Sequence, residues 1–202
     1  MYSFYMSFFC KIIFNLYSIV SLCCIIIMVL YMNSNKKEKI IYWILIFLIG
    51  SLIGWIYEEI FYLVTENIIG NRGFFYGPYL PVYGWGAIIL MLTLRKLKKH
   101  PVLIFILSML ITGIVEYITG YVMYAMYGRV WWDYTGLFLN IGGYVCFRSI
   151  FTFAIGTIGL MYFIEPYLNK FIKKYNKCAS VISLLFLIIF IVDSIITFIF
   201  RY

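Results

Sequence analysis

The sequence predicts an all-α integral membrane protein, a bundle of six transmembrane helices. Three observations predict it. Apolar residues fill 65% of the 202 positions and charged residues only 12%, against about half and about a quarter in a soluble domain. Six apolar runs lie at about 12–32, 40–64, 79–94, 101–127, 139–164 and 178–200, and a spanning helix needs roughly 20 such residues. The basic residues gather between the runs, as they do where a membrane protein marks its cytoplasmic side. The net charge of +8 therefore reads as topology. No nucleic-acid-binding motif accompanies it.

The first run exceeds the core of a cleaved signal, about 7–15 residues, and is expected to stay as a span. The second, 40–64, carries Gly50, Gly54 and Glu58 at i, i+4, i+8, on one helix face. The third, 79–94, is the shortest and is entered through Gly77-Pro78 and Pro81. Proline suits a helix's first turn, and the same residues suit an irregular re-entrant entry; both readings stay open. The fourth, 101–127, aligns Thr112, Glu116 and Gly120. The fifth, 139–164, aligns Arg148, Thr152, Gly156 and Gly159 and ends at Glu165-Pro166. The sixth, 178–200, holds Asp193 near its outer end, where water is expected to reach it. Connections are short, so residues 1–202 are read as one membrane domain.

Orientation follows from charge. Eleven of the sixteen Lys and Arg residues fall after runs one, three and five: Lys36, Lys37, Lys39, Arg95, Lys96, Lys98, Lys99, Lys170, Lys173, Lys174 and Lys177. Lys11, Arg72, Arg129 and Arg201 fall on the other side, and Arg148 lies inside run five. The excess marks the cytoplasmic face, which puts both termini outside a bacterial cytoplasmic membrane. Helices 2–3 and 4–5 then form two outward hairpins of like sense. Each has the order Gly–Glu, Arg, Gly, with 14 residues from Glu58 to Arg72 and 13 from Glu116 to Arg129. A weak parallel repeat about the membrane normal is expected from this order.

Ionisable side chains inside a span are costly and tend to serve function. At about 1.5 Å per residue, Arg148 should lie roughly 13 Å and Glu116 roughly 16 Å below their outer helix ends, which pairs them. Glu58, Arg72, Glu116, Asn140 and Arg148 are the candidate binding residues of an outward-facing polar pocket, with Arg129, Trp132 and Asp133 at its rim. Small residues on the same faces also serve plain helix packing, and Trp and Tyr serve as headgroup-level anchors. Five cysteines and one histidine form no metal-ligand spacing. No metal, cofactor or catalytic residue is assigned.

Certain segments together resemble a bacterial family, the putative ABC-transporter type IV membrane proteins. They are Gly54-Trp55-x-Tyr57-Glu58, Asn71-Arg72-Gly73-Phe74-x-x-Gly77-Pro78-Tyr79-x-Pro81-x-Tyr83-Gly84, Glu116-Tyr117-x-Thr119-Gly120, Trp131-Trp132-Asp133-Tyr134 and Asn140-x-x-Gly143. The resemblance covers about 45–170. It departs from the pattern beside Gly143, where Tyr144 stands for an expected basic residue and Arg148 follows downstream. It implies a transport permease. No G-x-x-x-x-G-K-[ST] pattern is present, so an ATPase would be a separate subunit; the other partners expected are the lipid bilayer and another membrane protein. Two alternatives remain beside transport. One is an intramembrane enzyme on a lipid-linked substrate, with Glu58 or Glu116 as base and Arg72 or Arg148 holding a phosphate. The other is a noncatalytic membrane scaffold.

Overall fold

The computed structural model describes residues 34–67, 73, 75–128, 130 and 132–200. The expected first span and the candidates Arg72 and Arg129 lie outside the described residues. Every regular element among the described residues is helical: α1 (Ser34–Glu66), α2 (Pro81–Leu94), a 3-10 turn (Arg95–Leu97), α3 (Pro101–Tyr127), α4 (Phe147–Ile158), a π-helical turn (Gly159–Ile164), α5 (Glu165–Lys174) and α6 (Asn176–Phe200). From α4 through α5 the helical path is continuous. Pro166 explains the wide turn. It has no N–H for the carbonyl of Tyr162 and its ring crowds that carbonyl; the Glu165 N–H reaches back five residues instead, to Leu160.

Among the described residues, four helices are long and apolar enough to cross a membrane: Lys36–Thr65, Pro101–Met126, Phe147–Lys174 and Asn176–Phe200. Five of the six expected spans fall on these residues. The run at 79–94 yields only the 14-residue α2, about 21 Å long against a hydrocarbon core of about 30 Å. The run at 139–164 becomes helical only at Phe147, because positive φ at Leu139, Gly142 and Gly143 breaks it. Arg148 therefore sits in the first turn of α4, not nine residues into a helix.

The chain divides into two compact units, one of residues 1–88 with 167–202 and one of residues 89–166. In the first, α1 has 33 residues and rises about 50 Å. It ends at Asn67 (φ 55°), one of the few side chains that tolerate the left-handed region. Residues 75–80 have no regular secondary structure. The Leu80 N–H donates to the Ser51 carbonyl (3.0 Å), fifteen residues below the end of α1 and so about 22 Å down. Pro81 opens α2 there. Close approach is built in: a Cβ on Gly54 would lie 2.1 Å from the Tyr83 ring, and one on Gly84 2.3 Å from Ser51 Oγ. Small residues bring helix backbones together in this way in lipid. Ile44, Tyr79, Phe186, Leu187 and Phe190 form the core, with Phe47 and Phe75 packed on it. Phe190 meets Phe75 at 5.3 Å and Tyr79 at 5.6 Å between ring centroids.

The second unit is built on α3 and α4. Pro101 opens α3, and Gly128 (φ 62°) closes it with its N–H on the Tyr124 carbonyl (2.8 Å), a left-handed cap. Residues 132–146 return along α3 without regular structure. The Tyr144 ring stands edge-on to Tyr117 (5.6 Å) and Tyr121 (6.4 Å). Non-helical backbone at membrane depth requires such protein cover. Ile104, Ala154 and Met161 are fully buried. Ile106, Leu110, Ile114 and Ile118, at i, i+4 spacing on α3, are exposed and form an apolar face suited to lipid.

Candidate functional site

Each unit places one glutamate on its long helix under the hydroxyl of a tyrosine that follows in the chain. In the second unit Glu116 lies eleven residues below the end of α3, about 16 Å. The irregular return brings Tyr134 down to it, and the Tyr134 hydroxyl donates to Glu116 Oε1 (2.9 Å). α4 starts at the same level, so Ser149 in its first turn faces both carboxylate oxygens (2.7 and 2.8 Å). The guanidinium of Arg148 lies 6.0 Å from the centre of the Tyr134 ring. Glu116 and Arg148, expected to pair, thus both engage Tyr134.

The return is held by its own turns. Tyr134 N–H donates to the Gly143 carbonyl (2.9 Å), and Ile141 N–H to the Val145 carbonyl (2.9 Å). Gly143 (φ 76°) leaves no room for a side chain: a Cβ would lie 2.9 Å from Thr135 Oγ1 and 3.0 Å from Asp133 Oδ1. Trp132 is half-buried, and its indole N–H donates to the Tyr144 carbonyl (2.9 Å). Asp133 is exposed and accepts from the Thr135 amide (2.8 Å) and hydroxyl (2.5 Å). Asn140 is exposed, with its amide donating to the Leu137 carbonyl (3.0 Å). In this structure the bonds of Trp132, Asp133 and Asn140 shape the return.

In the first unit Glu58 lies eight residues below the end of α1, about 12 Å. Tyr83, one turn into α2, donates to its Oε1 (2.5 Å). The Gly54–Tyr83 packing sets this reach, since Gly54 and Glu58 share a helix face.

Two carboxylates matter more than the sequence reading allowed. Asp193 was expected to meet water near the end of its helix, but it is only 8% exposed. It accepts from the amides of Tyr76 (3.1 Å) and Gly77 (2.8 Å), from the Thr197 hydroxyl (3.0 Å) and from the Tyr79 hydroxyl. The available signal was a lone acid in an otherwise uncharged apolar run. Glu165 is 2% exposed and pairs with Arg95 Nε (2.7 Å) and Lys98 Nζ (3.0 Å); the Tyr162 hydroxyl ties the Lys98 carbonyl beside it (2.6 Å). No group of three or more His, Cys, Asp and Glu residues able to hold a metal occurs among the described residues.

The profile of one protein family, described as putative ABC-transporter type IV, matches residues 45–198. The chain belongs to that family. Neither a curated protein nor a solved structure matches it. The type IV family match runs into α6, beyond the 45–170 expected, and so takes in Asp193. The segments that resembled the family now have contacts. Gly54 and Glu58 meet Tyr83, Gly77 and Tyr79 meet Asp193, and Glu116 meets Tyr134. Asp133 meets Thr135 beside Gly143.

Proposed function

We propose that this type IV family member is the permease-like membrane component of a transport system in the bacterial cytoplasmic membrane. The observation that carries the proposal is the Glu116 centre: a carboxylate about 16 Å below its helix end, bonded by the hydroxyls of Tyr134 and Ser149. A hydroxyl can donate or accept by rotating, so these contacts can be exchanged for those of a solute. Glu58 with Tyr83 is a second such centre. Glu58, Arg72, Glu116, Asn140 and Arg148 are the proposed solute contacts, with Arg129, Trp132 and Asp133 near the outer surface. The proposal includes six spans forming one membrane domain, both termini outside, a parallel repeat of helices 2–3 and 4–5, and a separate ATPase subunit as energy source.

The test compares cells lacking the chain with cells carrying the wild type, Glu116→Gln or Glu58→Gln at matched membrane abundance. Untargeted mass spectrometry of cells and medium should find a solute whose distribution the wild type restores and both variants fail to restore. If both variants restore every solute that the wild type restores, the carboxylates are structural and the transport reading of these sites fails.

A further inference from the structure

The segment 75–80 has no regular secondary structure, yet α2 must start at one register for Tyr83 to reach Glu58. Its apolar contacts, Phe75 and Tyr79 against Phe186 and Phe190, are non-directional and allow sliding. Asp193 is directional. Its Oδ1 accepts from the Tyr76 amide and its Oδ2 from the next amide, Gly77. Two successive amides on two different oxygens fix both the position and the orientation of the backbone. Three residues on, the Leu80 amide is held by the Ser51 carbonyl, and Tyr83 follows in the first turn of α2. We infer that Asp193, on α6, is a positioning residue that sets the start of α2 and thereby delivers the Tyr83 hydroxyl to Glu58.

All four groups around Asp193 are donors, and only a carboxylate offers acceptors alone. Asparagine has nearly the same shape but would turn an NH2 toward a donor. The residue type is therefore specified by the role. The inference rests on the reading of Glu58 as a site residue, but its test needs no transport assay, so either can fail without the other.

The test is carbodiimide modification of Glu58 in the full chain in lipid nanodiscs, located by peptide mass spectrometry. Tyr83→Phe removes a hydrogen bond to a charged group and should raise the labelling rate about tenfold. Asp193→Asn should raise it by a similar factor, and the double variant should label no faster than Tyr83→Phe alone. Wild-type labelling in Asp193→Asn, or factors that multiply in the double variant, overturns the inference. Should Asp193→Asn not accumulate, Tyr79→Phe and Thr197→Val each remove one donor. Each should raise labelling by a smaller factor that vanishes in the Tyr83→Phe background. If neither does, the inference is wrong.

Discussion

Glu165 offers the sharpest energetic test, because its partners differ from it in exposure. The carboxylate is 2% exposed, while Arg95 and Lys98 are 47% and 36% exposed. Replacing both cations by alanine takes two partners from a buried acid, a loss that costs about 3–5 kcal/mol. Glu165→Gln leaves two cations that can turn to water. Its cost is closer to that of a partly exposed pair plus one charged hydrogen bond, about 1–2 kcal/mol. At roughly 2–4 °C per kcal/mol for a chain of this size, the melting temperature in nanodiscs should fall by roughly 6–20 °C for Arg95→Ala/Lys98→Ala and by roughly 2–8 °C for Glu165→Gln. Lys98→Ala keeps the carbonyl that Tyr162 binds, so the difference reports on charge. Equal losses, or a larger loss for Glu165→Gln, would refute the reasoning that burial of the acid dominates this contact.

Gly54→Ala should lower the melting temperature by the equivalent of about 1–3 kcal/mol, since its Cβ meets the Tyr83 ring, while Gly156→Ala, whose Cβ meets nothing within 4 Å, should be neutral or stabilising by up to about 1 kcal/mol. Tyr134→Phe and Ser149→Ala should each cost about 1.5–3 kcal/mol, and the double variant should cost less than their sum because both act on Glu116; thermal melts of the set decide it. The Thr135 hydroxyl and amide hold the Asp133 carboxyl below the usual carboxylate range. That turn is therefore complete above the unfolded pKa of about 3.9 and loosens as pH falls below it through the folded value. Hydrogen exchange of the Thr135 amide, corrected for the pH dependence of intrinsic exchange, should show constant protection from pH 8 to 5. For the outside-termini topology, a cysteine at Gly136 should react with an impermeant maleimide in intact cells and one at Lys98 should not.

What could be read from the sequence depended on how far apart the deciding partners lie along the chain. Helix class and the α1, α3 and α6 spans followed from long apolar runs, which need only local information. The Gly54–Glu58 face was legible from helical spacing, and its close approach to α2 followed from small residues. The start of α4 was not. Residues 139–146 are largely apolar, and the left-handed Leu139, Gly142 and Gly143 with the tertiary contacts of Tyr144 make them irregular. That put Arg148 in the first turn of α4 rather than in mid-helix, while Glu116 stayed inside an uninterrupted helix and at the same level. Ser149 gave no signal because its role appears only when α4 begins beside Glu116. Asp193 and its amide partners are 116 and 117 residues apart, and main-chain donors leave no mark in a sequence.

The wide turn at 159–164 has a geometric consequence for the inner end of its helix. An ordinary helix turns about 100° per residue, so eight regular steps from Thr157 would leave Glu165 about 80° away from it. The π turn absorbs one residue without rotation. Glu165 then comes within about 20° of Thr157, on the same buried side, where Arg95 and Lys98 meet it. The helix is thus one residue longer than its facing requires. Deleting one residue from the wide turn, such as the exposed Phe163, together with Pro166→Ala to restore the missing N–H, closes it to a normal turn and leaves Glu165 aimed inward. Deleting one residue from 147–158 instead swings the acid by about 100°, out toward the lipid. Length and facing are uncoupled in that one turn and locked together everywhere else along the helix.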